Sequence, residues 1–119
     1  MRLHHLAFRT GDLARLERFY VEALGLSVVR RSERGVWLEA GEAVLMLEGR
    51  GTGEPAPDPT SMDLVAFAIA REEHAIYMDR LARANITVEG RTAYSIYFRD
   101  PDGRRIGLSA YPAELASLA

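Results

Sequence analysis

Strand-like and helix-like stretches occur in the same order twice within this chain, and that repeat leaves few folds open to it. Ala7-Phe8 returns as Ala66-Phe67, and Gly25-Leu26 returns as Asn85-Ile86 at an offset that agrees to within one residue. In the first half, residues 3–10 alternate like a strand, with Leu6 and Phe8 on one face and His5, Ala7 and Arg9 on the other. A helix follows over residues 12–24. Thr10 or Asp12 can cap it, Leu13, Leu16, Phe19 or Tyr20, and Leu24 keep helical spacing, and Gly25 is placed to end it. Strands are expected at 27–31, 36–39 and 43–48, separated at Gly35 and Gly41.

Residues 49–62, GRGTGEPAPDPTSM, read as a linker rich in Gly and Pro. After it the order recurs: a strand at 64–70, then a helix at 71–84 with a stripe of Ala75, Met78 and Leu81 or Ala82. Strands follow at 86–89, 94–99 and 104–111. Gly25 and Asn85 both tolerate the left-handed conformation at a helix end. The fold class expected is α+β: two βαβββ modules, 1–48 and 63–111, within a single domain spanning 1–119. The competing reading is an unrelated α+β fold with accidental self-similarity.

Composition narrows the function. A length of 119 residues suits one domain, and 48% hydrophobic with 27% charged residues is globular composition. A net charge of −2 offers no electrostatic case for nucleic acid or an anionic membrane. Without cysteine there is no disulfide, thiolate nucleophile or Cys-ligated zinc. No apolar run reads as a signal peptide or a membrane span, so a cytoplasmic protein is expected. P-loop, G-x-S-x-G and G-x-G-x-x-G motifs are lacking.

The stretch from His5 to Asp12, then Phe19-Tyr20 and Leu24-Gly25-Leu26, resembles the vicinal oxygen chelate superfamily, which includes glyoxalase I, bleomycin-resistance proteins and extradiol dioxygenases. The later run from Tyr97 to Gly103, with Ile106 and Leu108, is similar to that family's closing hairpin. The resemblance implies curved sheets forming a cup, with helices on the convex side. It also implies four metal-ligand positions in metal-dependent members. Carried over one at a time, these fall on His5, Met46, Leu64 and Gly107. A thioether, an isobutyl group and a hydrogen cannot replace the N, O or S donors that such a site needs. Three of the four positions are therefore lost, and no metal or other cofactor is expected. Glu48, two residues beyond Met46, is the one carboxylate on that strand face that could partner His5. His4 should point away on a regular strand, and the missing side chain of Gly107 is expected to leave space.

Alternation supplies the candidate ligand-binding residues: His5, Arg9, Met46 and Glu48 from the first half, with Trp37 as an addition. The second half offers Leu64, Tyr97, Arg99, Arg105 and Gly107. The arginines would suit an anionic or carboxylate-bearing ligand, although each charge could equally be paired at a strand edge. His74, one turn before Met78, reads as a packing or surface residue. Two functions from different classes fit. One is a metal-independent module that binds and sequesters a small molecule. The other is a divergent lyase or dioxygenase of the glyoxalase type, using His5 and Glu48. The small size and open sheet edges imply a homodimer with ligand sites near the subunit contact.

Overall fold

The computed structural model describes residues 1–111. Its first half runs β1 (His5–Thr10), α1 (Leu13–Arg18), a wider π-type turn over Phe19–Ala23, β2 (Ser27–Arg31), β3 (Gly35–Ala40) and β4 (Ala43–Gly49). The second runs β5 (Leu64–Ala68), a short 3-10 turn over Arg71–Glu73, α2 (His74–Arg83), β6 (Val88–Arg91), β7 (Ser95–Arg99) and β8 (Arg105–Ser109). The result is an α+β fold of two four-stranded sheets, ordered β1-β4-β3-β2 and β5-β8-β7-β6. In each sheet the first strand lies parallel to the last, and the other neighbours are antiparallel.

The repeat extends to register. Ala7, Met46 and Trp37 share a rung of the first sheet, as Ala66, Gly107 and Tyr97 share one of the second. Edge strands β2 and β6 carry the same irregularity, between Val28 and Arg30 and between Val88 and Gly90. On the other face of each sheet the rungs are apolar. Leu6, Leu45 and Leu38 answer to Val65, Ile106 and Phe98. That face packs on the helices, where Leu16, Phe19, Tyr20, Leu24 and Leu81 join Leu38, Leu45, Ile96 and Phe98 in one buried cluster. Each fully buried leucine there contributes about 2 kcal/mol relative to an exposed one.

The helix ends match expectation, with Gly25 at φ 79° and Asn85 at φ 59°. Asp12 caps α1 by accepting the Arg15 N–H at 3.1 Å. Elsewhere the elements depart from the expected pattern. Phe19 and Tyr20 are both buried, along with Ala23, because the wider turn brings more residues to the core side. On α2 the inward line is His74, Tyr77, Met78 and Leu81, while Ala75 and Ala82 are exposed. Large side chains fill the contact, and the Tyr77 hydroxyl donates to the Leu24 carbonyl at 3.4 Å. His74 is half-buried and packs, with its Nε2 lacking a hydrogen-bond partner among the described residues. Strands β5 and β8 stop at Ala68 and Ser109, although Ile69 still donates to the Ser109 carbonyl and Ala110 to the Tyr94 carbonyl. Strand β6 begins only at Val88, the first residue of that segment paired with β7.

The Asp-Pro-Asp-Gly turn after β7 joins the two halves. The buried Asp100 carboxylate accepts the Asp102 and Arg104 N–H groups through Oδ1 at 2.9 and 3.0 Å. Its Oδ2 accepts the Tyr20 hydroxyl at 2.7 Å and the Arg104 guanidinium at 3.2 Å. Burial first, and the neighbouring Asp100 charge second, raise the Tyr20 hydroxyl pKa well above its ordinary value, so it stays a donor. Asp102 pairs with Arg15 of α1 at 2.8 Å. Gly103, at φ 90°, lies against Pro59 of the linker, where a Cβ would sit 2.9 Å from the Pro59 Cβ.

Candidate functional site

The sheet faces turned away from the helices are open. On the first sheet His5 and Arg9 are exposed, and Trp37, Met46 and Glu48 are half-buried. Arg9 is committed: its Nε and Nη2 donate to Glu54 at 3.0 and 2.8 Å, and its Nη1 lies 3.6 Å from Glu48. Hydrogen bonding from Arg9, and then from the Gly51 N–H, holds the Glu54 pKa down to about 2. Glu48, the expected partner of His5, is thus drawn towards Arg9. The Arg30 guanidinium covers Trp37 at 5.1 Å. His4 does not point away from His5. Their Nδ1 atoms are 2.9 Å apart, because β1 begins only at His5 and strand alternation does not bind His4.

On the second sheet Arg99 is a structural tether. It donates to Glu89, to the Ser61 carbonyl at 2.7 Å and to the Gly103 carbonyl. Gly107 does not leave the expected space. It is buried, and a Cβ there would meet the Tyr97 ring at 3.2 Å and Leu64 Cδ1 at 3.3 Å. An aromatic side chain on the facing strand has covered the glycine. Arg105 stacks on the outer side of this arrangement, its guanidinium 4.7 Å from the Tyr97 ring centre.

These residues do not fit a metal of the kind implied above. Met46, Leu64 and Gly107 supply no hard donor, and the room at Gly107 is taken by Leu64 and Tyr97. Among the described residues no group of three His, Asp or Glu side chains is arranged to hold an ion.

A cavity of about 320 Å³ is lined by Leu64 and Arg105, with Val65, Ile106 and Arg104 beside them. From the first half it takes Phe8, but not His5, Arg9, Trp37, Met46 or Glu48; Pro57, Asp58, Ser61 and Asp63 close it. The linker therefore walls a cavity, which its Gly- and Pro-rich composition did not announce. The structure also gives weight to Tyr20, Asp100 and Arg104. Their signal was the Asp-Pro-Asp-Gly motif itself, since an aspartate opening a turn commonly accepts backbone N–H groups.

The family model described as Glyoxalase/Bleomycin resistance protein/Dioxygenase superfamily matches residues 2–108. The chain is 31% identical over 111 residues to a glutathione transferase FosA of Serratia marcescens, covering 89% of this chain and 78% of that protein. It is 30% identical over 123 residues to a lactoylglutathione lyase of Escherichia coli O157:H7, covering 91% of each. Among solved structures, the fosfomycin resistance protein FosX of Mesorhizobium loti superposes with a TM-score of 0.78 at 20% identity, over 98% of this chain and 95% of that one. A glyoxalase/dioxygenase of Nostoc punctiforme superposes at 0.77 and 20% identity, over 90% and 88%. Repeated register, shared core and matching sequence agree: the chain belongs to the glyoxalase/bleomycin resistance protein/dioxygenase superfamily.

Proposed function

We propose that this chain is a metal-independent member of its superfamily that binds and sequesters a small molecule. The observation that carries this is the loss of donors at Met46, Leu64 and Gly107, with Tyr97 and Leu64 packed over the glycine. His5, Arg9, Trp37, Met46, Glu48, Leu64, Tyr97, Arg99, Arg105 and Gly107 remain the residues of the ligand surface. Arg9 and Arg99 act there mainly by tethering the linker. The rival reading, a divergent glyoxalase-type enzyme using His5 and Glu48, draws on the 30% identity to a lactoylglutathione lyase.

Elemental analysis of protein dialysed without chelator separates the two. Well under one equivalent of Ni, Zn, Fe, Mn or Co per chain is expected. Stoichiometric metal that His5→Ala releases would establish the rival.

The protein is further proposed to act in the cytoplasm as a homodimer. Ala66 and Ala68 of the open second sheet are exposed in the single chain, as are His5 and Ala7 of the first. A two-fold partner would cover such faces and add burial that a domain of this size has little of. Sedimentation at micromolar concentration should give twice the 13.2 kDa chain mass, and a 13.2 kDa species alone would remove the dimer.

A further inference from the structure

Arg105 stands at the cavity behind the linker in an unusual state. Its side chain is only 16% exposed, and its Nε is buried with no hydrogen-bond partner among the described residues. The nearest carboxylate, Glu89, is 3.9 Å away, beyond hydrogen-bond range. Glu89 already accepts from Arg99 through Nε and Nη2 at 3.1 Å. Two guanidinium groups thus share one carboxylate, and Arg105 holds the weaker claim on it. An unmatched buried donor of this kind is costly unless something supplies the acceptor.

The other charges on the cavity wall are accounted for differently. Arg104 is engaged by Asp100 and Asp102 through Nη1 and by the Arg9 carbonyl through Nη2. Asp58 turns its Oδ1 inward on Thr60, accepting the N–H at 2.8 Å and the hydroxyl at 2.7 Å. Asp63 is exposed. Apart from Ser61, whose hydroxyl accepts the Asp63 N–H, the remaining wall is apolar, formed by Phe8, Pro57, Leu64, Val65 and Ile106. At about 320 Å³ the cavity falls within the range that encloses small ligands.

We propose that this cavity binds a small monocarboxylate, with its apolar body between Phe8, Leu64, Val65 and Ile106 and its carboxylate on Arg105. Asp58 and Asp63 on the same rim oppose negative charge, so one carboxylate held by Arg105 is accommodated better than a dianion. The inference rests on the small-molecule-binding reading; it names the ligand class and moves the ligand from the open sheet faces to the linker groove within one chain.

The test is titration of the full ¹⁵N-labelled chain with phenylacetate, 2-phenylethanol and phenylphosphonate, followed by amide shifts. Phenylacetate should move resonances of residues 57–65 and 104–106 and bind at least about tenfold more tightly than the uncharged alcohol. The dianionic phosphonate should bind no better than phenylacetate. Arg105→Gln should abolish the preference for acid over alcohol, with thermal unfolding reporting that it still folds. Leu64→Glu, at the exposed mouth, should weaken phenylacetate independently. Equal binding of acid and alcohol, a preference that survives Arg105→Gln, or no shifts at tens of millimolar phenylacetate would overturn the proposal. Shifts confined to Ala7, Trp37 and Met46 would overturn it while leaving the small-molecule-binding reading intact. Stoichiometric metal on His5 would remove that reading without moving the groove resonances.

Discussion

The rung Ala7, Met46, Trp37 and the rung Ala66, Gly107, Tyr97 occupy the same place in the two sheets and are built in opposite ways. In the first, the central strand supplies its own side chain, and an arginine from the edge strand, Arg30, covers the aromatic. In the second, the central position is bare and its neighbours close over it, with Arg105 from the central strand on the aromatic. The rungs beneath, facing the helices, hardly differ: leucines answer to valine, isoleucine and phenylalanine. A core rung is held by close packing and tolerates only volume-conserving exchange. An open-face rung answers to solvent or ligand, so the two copies have been free to diverge there.

Where the halves meet, the contrast disappears into one shared network, and breaking it should have the largest effect. Asp100→Ala removes the acceptor for Tyr20 of the first half and for two backbone N–H groups and Arg104 of the second. A loss of about 3–5 kcal/mol is expected from urea unfolding, in a single transition. Two separated transitions would mean that the halves do not unfold as one unit.

The contrast between Met46 and Gly107 can be sharpened directly. Gly107→Ala brings its Cβ to 3.2–3.3 Å from the Tyr97 ring and Leu64, which must shift by a few tenths of an ångström, and should cost about 1 kcal/mol. Combining it with Tyr97→Leu should return at least about 0.5 kcal/mol of that as coupling in a double-mutant cycle. A neutral Gly107→Ala would show that the ring leaves the glycine freely and that both rungs accept a side chain equally.

The smallest effect concerns how each half holds the linker. The first half grips its start through Arg9 and Glu54, and the second grips its end through Arg99 and the Ser61 carbonyl. Only the first grip contains a titrating carboxylate at the linker. The folded pKa of Glu54, about 2, lies below its ordinary value of 4.5. Its contribution is therefore complete above about pH 4.5 and is lost as pH falls towards 2. Glu54 is at the surface, so the effect is modest and weakens with salt. Stability measured between those limits should fall less steeply in Glu54→Gln than in the parent. An identical slope would mean that this pair contributes nothing.

Sequence by itself determined the repeat, and with it the order of elements, the face that β1 turns to the core and the left-handed helix ends at Gly25 and Asn85. Those properties are local: alternation, helical spacing and glycine tolerance act over a few neighbouring residues. The family resemblance singled out His5, Met46, Leu64 and Gly107 as one set, and the repeat offset carried His5 to its counterpart Leu64. What surrounds those positions was decided by tertiary structure. That Tyr97 and Leu64 would fill the space at Gly107, that Glu48 would turn to Arg9, and that linker residues 57–63 would wall a cavity all depend on atoms brought together from distant parts of the chain. Side-chain period says which face a residue is on. Only the packed structure says which neighbour reaches that face first, since the room left by one side chain is taken by whichever other can fill it at least strain.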